Sequence, residues 1–265
     1  MNAERGMPVL EVTGLAKSFG GVHAVRDVNF RLDRGELLAM IGPNGAGKTT
    51  CFNMISGQLR PNAGSILLRT ADGGERQLVG MRPREVWRLG VGRTFQITAT
   101  YASMTVAENV QMALVSHHHR IFNPFLRARE LYRDRALELL ETVGMADQAD
   151  RPASVLAYGD LKRMELAIAL ANEPRLMLMD EPTAGMAPRE RIDLMRLTAD
   201  IVRDQGVSVL FTEHDVDVVF AHAHRVMVLA RGALIAEGTA EQVRADAHVQ
   251  EVYLGGGTTF GGAHG

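Results

Sequence analysis

An eight-residue run, Gly42-Pro43-Asn44-Gly45-Ala46-Gly47-Lys48-Thr49, has the spacing G-x-x-x-x-G-K-[ST]. Every residue type in it has a chemical reason to stand there if the ligand is a chain of phosphates. Glycines let successive backbone N–H groups converge on phosphate oxygens, and a following helix adds favourable partial charge from its amino terminus. Lys48 then reaches the β- and γ-phosphates, and the Thr49 hydroxyl ligates Mg²⁺. Thr50 follows in the same first helical turn and belongs to the same binding set. The competing reading is a glycine-rich turn with an incidental lysine.

Further along, Leu176-Met177-Leu178-Met179 runs straight into Asp180-Glu181. An acidic group is needed near Mg²⁺, and Asp180 at the carboxyl end of such a strand supplies one. Glu181, one residue on, is placed to polarise an attacking water as general base. Alone, a carboxylate pair is often only the solvated end of a strand. His214 follows another apolar run, 207–211, where an imidazole can contact a γ-phosphate or the water, or be purely structural. By itself Gln96, after Arg93-Thr94-Phe95, is an ordinary loop glutamine.

These groups need elements to hold them. Val28, Phe30 and Leu32 alternate with Asn29 and Arg31, the pattern of a strand with one buried face. After a turn at Arg34-Gly35, Leu37-Leu38-Ala39-Met40-Ile41 is continuously apolar, as strands buried on both faces of a parallel sheet are. The phosphate loop follows, then a helix from Lys48 to about Gly57. Residues 176–179 and 207–211 read as further central strands. Between them Ile192, Met195, Ala199 and Val202 mark one helical face. Strands alternating with helices predict an α/β core.

From about 97 to 170 the pattern is helical. Ala136, Leu140 and Val143 line one helix that Gly144 ends, and Leu161, Met164, Ile168 and Ala171 line another. Residues 226–229 and 234–236 flank Ala230-Arg231-Gly232-Ala233 as a hairpin. Thr239 and Gln242 form a capping box for one last helix running to about Val252. The glycine-rich stretch 255–265 has little to bury and is expected to be disordered.

The chain has 265 residues, 46% hydrophobic and 23% charged, which suits a folded core and excludes wholesale disorder. Its net charge of −2 gives no global attraction to nucleic acid or anionic lipid. Of 29 basic residues only Lys17, Lys48 and Lys162 are lysines, so each lysine position is informative. No apolar stretch is long enough to span a membrane, and residues 1–6 lack the apolar centre of a secretory signal. The chain is expected to be soluble and to meet a membrane only through a partner. The single cysteine, Cys51, has no internal disulfide partner. A helix amino terminus would lower its pKa, but a small buried hydrophobe is the favoured reading. The run His117-His118-His119 cannot aim three imidazoles to one side, so a solvated helix end is expected rather than a metal site.

Order and spacing together resemble the ATP-binding cassette (ABC) ATPase family, from about Leu10 to Leu254. The resemblance implies a P-loop NTPase core with an inserted helical lobe. The cassette would occupy 8–240, its α/β core 8–96 and 171–240 and its lobe 97–170, with a C-terminal helix over 241–254. ATP and Mg²⁺ are the implied cofactors. Phe19 stands where the family stacks an aromatic ring on adenine. Gln96 matches its lid glutamine, which touches Mg²⁺ and faces the membrane partner, so it joins Thr49 and Asp180 as a metal residue and Glu181 and His214 as a catalytic one. Leu156-Ala157-Tyr158-Gly159-Asp160 occupies the place of the signature Leu-Ser-Gly-Gly-Gln, which puts Ala157, Tyr158 and Gly159 in the nucleotide-binding set. In the family that signature covers ATP on a second ATPase subunit of a head-to-tail dimer.

This chain departs from the pattern at Ala157, Tyr158, Asp160 and Ala187, and at Phe19, where tyrosine is commoner. The Leu-Ala-Tyr-Gly form, Arg93-Thr94-Phe95-Gln96, the run 104–110 (Met-Thr-Val-Ala-Glu-Asn-Val) and Val252-Tyr253-Leu254-Gly255 are similar to the branched-chain amino acid importer subfamily. The stretch from His117 to Arg135 is similar to the longer of its two ATPase subunits. That likeness implies transmembrane permease subunits, an extracytoplasmic solute-binding protein acting indirectly, and a place on the cytoplasmic face of the plasma membrane. Two rivals differ in class. A DNA-repair ABC ATPase needs a long inserted coiled coil, and a translation ATPase usually carries two cassettes, neither of which is seen here. A regulatory module that closes on nucleotide but scarcely hydrolyses it is motivated by Ala157, Asp160 and Ala187.

Overall fold

Strand β3 (Leu37–Ile41) is buried at all five residues, and its side chains divide between two cores. Leu38 and Met40 face one, while Leu37, Ala39 and Ile41 face the other, as the two-residue period of a strand requires. In this computed structural model residues 8–94, 100–117 and 131–254 are described, residues 253 and 254 without side-chain detail. Among them, β3 sits inside a six-stranded sheet of order β10-β9-β3-β8-β7-β6. Its other members are β6 (Val91–Thr94), β7 (Leu176–Asp180), β8 (Ser208–Thr212), β9 (Arg225–Ala230) and β10 (Ala233–Gly238). All pairs are parallel except β9–β10, the hairpin expected from its turn residues.

A second, antiparallel sheet of order β2-β1-β4-β5 covers one face. It is built from β1 (Pro8–Phe19), β2 (Val22–Asp33), β4 (Ala63–Arg69) and β5 (Glu75–Gln77). Between the sheets lies α1 (Lys48–Ile55), which contributes Cys51, Phe52, Met54 and Ile55 to their shared core. The other face is covered by helices: α3 (Val106–His117), α4 (Arg133–Thr142), α5 (Tyr158–Leu170), α6 (Pro188–Gln205) and α7 (Val216–His222). Helix α2 (Pro83–Arg88) precedes β6, and α8 (Ala240–Ala245) and α9 (Ala247–Leu254) come last among the described residues. The α3–α4–α5 group packs together, with 3-10 turns at Ala146–Gln148 and Ala153–Val155 leading into α5. No helix among the described residues is long and apolar enough to cross a membrane.

Strands β1, β4, β5 and β6 go beyond what periodicity alone predicts. β1 carries register shifts between Val12 and Leu15 and between Leu15 and Lys17, which break its alternation. Three expectations need correction. The single last helix is two helices, because Asp246 is extended and its carboxylate accepts from the N–H groups of His248 and Val249, at 2.8 and 3.0 Å, starting α9 afresh. Ile192 does not belong to the buried stripe of α6. That stripe is Leu194, Met195, Thr198, Ile201 and Val202, with the Thr198 hydroxyl donating to the Leu194 carbonyl. His117 is not a solvated end. Its Nδ1 lies 2.7 Å from Asn172 Oδ1 and its ring meets the edge of Trp87, while His118 and His119 lie outside the described residues, as does 255–265.

Helix α5 starts without a side-chain cap, since its N-cap residue is Ala157 in an extended conformation. A serine there accepts a hydrogen bond from the first turn, so Ala157→Ser should stabilise the fold by about 1 kcal/mol and raise Tm by about 2–4 °C. Scanning calorimetry tests this, and an unchanged or lowered Tm would contradict the capping geometry. At Cys51 burial overrides any helix field and pushes the thiol up to about 12. The native protein at pH 8 should therefore resist a maleimide that labels it promptly once unfolded. Rapid labelling of the native state, read by mass spectrometry, would contradict this burial.

Candidate functional site

The loop from 42 to 47 turns the carboxyl end of β3 into α1 through close approaches that only glycine permits. A Cβ on Gly42 would lie 2.1 Å from the Leu229 carbonyl oxygen, and one on Gly47 would lie 2.5 Å from that of Ala24. Both residues have positive φ, 149° and 107°. Pro43, Asn44, Gly45 and Ala46 form the bend between them, closed by Ala46 N–H on the Pro43 carbonyl. Lys48 is 6% exposed, and its Nζ donates to the Gly42 and Pro43 carbonyls at 2.6 and 3.2 Å. Burial lowers its pKa, while the negative fields of Glu181 and Asp180 act in the opposite direction. A buried ammonium curled inside a glycine cradle suits a polyphosphate. Thr49 is exposed and Thr50 half-buried on the same helical turn.

The acidic end of β7 converges on this loop through parallel pairing. Asp180 lies beside Thr212 of β8, whose hydroxyl donates to Asp180 Oδ1 at 2.7 Å. Asp180 is buried, and Oδ2 sits 3.6 Å from the Arg93 guanidinium. Arg93 in turn donates to Asn53 Oδ1 and Ser56 Oγ on and just after α1. This network fixes the carboxylate beside the phosphate loop. A hydroxyl and a carboxylate offer hard oxygen ligands of the kind Mg²⁺ takes alongside phosphate oxygens and water. The described residues contain no cluster of three or more His, Cys, Asp or Glu able to hold a metal by protein ligands alone.

Glu181 leaves the strand in the left-handed region, φ 50°, with its N–H on the Thr212 carbonyl and hydroxyl at 3.1 Å each. That reversal separates its carboxylate from Asp180. Glu181 Oε1 then lies 2.7 Å from Nε2 of His214, which sits two residues beyond the end of β8. Between them, Glu213 is buried and accepts from the Thr183 N–H and hydroxyl at 2.9 and 2.6 Å. Hence the segment after Glu181 is tied to the segment carrying His214.

The signature stretch lies at the amino end of α5. Ala157 is exposed and Gly159 buried against Glu190, whose Oε1 would be 3.1 Å from a Cβ on Gly159. Leu161 N–H bonds to the Ala157 carbonyl, so the first-turn N–H groups ahead of it project from the helix end. Tyr158 is 46% exposed, yet its hydroxyl donates to the Ala184 carbonyl at 3.1 Å. Asp160 accepts from the Gln148 side chain.

Phe19, 49% exposed, ends β1, with Lys17 Nζ 5.3 Å from its ring centroid. The β1–β2 hairpin reaches the phosphate loop at Ala24, which places the aromatic ring at the same end of the molecule. Gln96 lies outside the described residues. Sequence reasoning missed Arg93, Asn53, Ser56, Thr212 and Glu213 as supports. Thr212 carried the clearest available signal, a polar residue directly after the apolar run 207–211.

A family model described as "ABC transporter" matches residues 25–184, and one described as "Branched-chain amino acid ATP-binding cassette transporter" matches 233–258. The high-affinity branched-chain amino acid transport ATP-binding protein LivG of Escherichia coli (strain K12) is 39% identical over 258 residues, covering 94% of this chain and 98% of LivG. The solved ADP conformation of MJ1267, an ATP-binding cassette of an ABC transporter, matches with a TM-score of 0.82 at 29% identity, covering 94% of this chain and 99% of that one. A dimeric post-hydrolysis state of the cassette MJ0796 bound to ADP and Pi matches with a TM-score of 0.70 at 25% identity, covering 87% and 98%. Likeness of this extent in both sequence and backbone makes the chain a member of the ABC transporter family, one of its nucleotide-binding, ATP-hydrolysing subunits.

Proposed function

We propose that this subunit drives import of branched-chain amino acids or a similar small polar solute, working as one half of an ATPase dimer beneath membrane permease subunits. The observation that carries the catalytic part is the convergence of buried Lys48, Asp180 and the Glu181–His214 pair on one end of the parallel sheet. The 39% identity to LivG and the C-terminal match over 233–258 carry the substrate class. An extracytoplasmic solute-binding protein would deliver the solute, and the subunit would sit on the cytoplasmic side.

In this reading Phe19 stacks on adenine, and backbone N–H groups from Gly45 to Thr50 take the phosphate oxygens. Lys48 exchanges its carbonyl partners for the β- and γ-phosphates. Thr49, Asp180 and Gln96 would hold Mg²⁺, which when bound neutralises phosphate charge. Glu181 accepts the proton of the attacking water, and His214 holds the Glu181 carboxylate in place at 2.7 Å, where its imidazole would also reach the γ-phosphate. Across the dimer, Ala157, Tyr158 and Gly159 of one subunit cover ATP bound at 42–49 of the other, through backbone N–H groups at the start of α5. Closure moves the α3–α4–α5 lobe. The groove lined by Val86, Trp87 and Ile168, bordered by Thr94 and Thr100 on either side of the segment holding Gln96, receives the permease.

Lys48→Ala removes a charge-assisted contact worth about 1.5–3 kcal/mol, so nucleotide affinity should fall roughly ten- to hundredfold. Titration with a fluorescent ATP analogue reads it directly, and affinity within about twofold of wild type would remove Lys48 from the site. Glu181→Gln keeps the shape of the side chain but accepts no proton from water, so the variant should bind Mg-ATP and stop turning over. Gel filtration with Mg-ATP should then show an accumulated dimer. Normal turnover in this variant would mean that another group is the base.

A further inference from the structure

Tyr158 stands where the family's signature carries glycine, and its side chain does something a glycine cannot. The segment from Pro182 to Ala187 follows the catalytic glutamate and is tied down along one side. Thr183 bonds to Glu213, Ala184 N–H to the Glu181 carbonyl, and the Met186 carbonyl accepts from Arg191 Nε at 2.8 Å. On its outer side Ala184 and Gly185 are exposed, and the hydrogen bond described there comes from α5, the Tyr158 hydroxyl on the Ala184 carbonyl at 3.1 Å. The Tyr158 ring also lies over Gly185, where an added Cβ would sit 3.5 Å from it.

The ring is itself braced from inside α5. Lys162 Nζ lies 5.4 Å from its centroid, one helical turn on, and is held at 3.1 and 3.3 Å by Glu165. Both charges of that pair are 8% exposed, so the ammonium has little water to compete with the aromatic face. Tyr158 is therefore fixed at both ends, hydroxyl on the loop after Glu181 and ring on a buried cation of its own helix.

We propose that Tyr158 is a positioning residue that makes the signature turn and the loop after Glu181 move as one body. This rests on the dimer reading given above, in which the signature of one subunit covers the ATP of the other while Glu181 acts on its own. Contact of residues 157–159 with the partner's nucleotide then shifts the loop that begins at this chain's Glu181. Tyr158 so links the occupancy of one ATP site to the geometry of the base in the other. The link uses the hydroxyl, not the bulk of the ring.

The test compares Tyr158→Phe, which removes only the hydroxyl, with Tyr158→Gly, in the full chain assembled in its ATPase dimer. Steady-state turnover against ATP concentration is read together with nucleotide affinity and Tm. For Tyr158→Phe, kcat should fall about fivefold, the loss of one hydrogen bond, and the Hill coefficient should drop toward unity. Nucleotide affinity should stay within about twofold and Tm within about 2 °C. Tyr158→Gly should show at least the same loss. Unchanged kcat and Hill coefficient in Tyr158→Phe would overturn the proposal, as would loss confined to Tyr158→Gly, which would make the ring a spacer. Glu181→Gln run alongside keeps the two readings apart. Persistent turnover there defeats the assignment of the base, whereas a silent Tyr158→Phe beside a dead Glu181→Gln defeats only the linkage.

Discussion

Parallel pairing of β3 with β8 and of β8 with β7 brings three carboxyl strand ends together at one end of the sheet, and the proposed chemistry depends on that alignment. β3 delivers the phosphate loop, β7 delivers Asp180 and Glu181, and β8 delivers Thr212, Glu213 and His214. Because the strands are buried on both faces, their register is held by side chains in two separate cores. A slip of one residue would exchange the occupants of those cores and move Thr212 away from Asp180. The Thr212 hydroxyl bond to Asp180 is thus a direct product of hydrophobic packing.

The same alignment sustains a strained residue. A non-glycine residue in the left-handed region costs roughly 1–2 kcal/mol, and Glu181 occupies it at φ 50°. Its N–H on Thr212, its carbonyl on Ala184 N–H and its carboxylate on His214 hold it there. With the peptide turned this way, two adjacent carboxylates serve two different surroundings. Asp180 stays buried with Arg93 and Thr212, while Glu181 is drawn to an imidazole that is half exposed. Consecutive residues on a continuing strand would point to opposite faces and could not share one site.

Much of this was legible in the sequence, for identifiable reasons. The tight glycine loop between β3 and α1 was, because its spacing encodes backbone geometry that few residue types satisfy. The central strands were, because burial on both faces leaves uninterrupted apolar runs. Legibility failed where one local bond decided the outcome. Asp246 ends one helix and starts another through its carboxylate, and Thr198 enters the core of α6 by returning its hydroxyl to its own backbone. Neither alters hydrophobic periodicity in a way that a pattern can register. Arg93 escaped for a different reason. Its partners Asn53, Ser56 and Asp180 are far away in sequence, so the network exists only after β6 pairs with β7.

The scarcity of lysine carries the same logic into the site. Of three lysines in the chain, Lys48 and Lys162 are 6% and 8% exposed, while the 26 arginines supply nearly all the other positive charge. A guanidinium is planar and presents a broad fork, which suits Arg93 as it spans Asn53, Ser56 and Asp180. An ammonium is a compact point charge on a slender stem. Lys48 must fold back inside a loop where Gly42 and Gly47 leave no room for a Cβ, and Lys162 must lie beneath an aromatic ring while bonding Glu165. Both tasks need a small charge at the end of a thin chain, so at these two buried positions lysine serves where the packing is too tight for the arginine this sequence otherwise prefers.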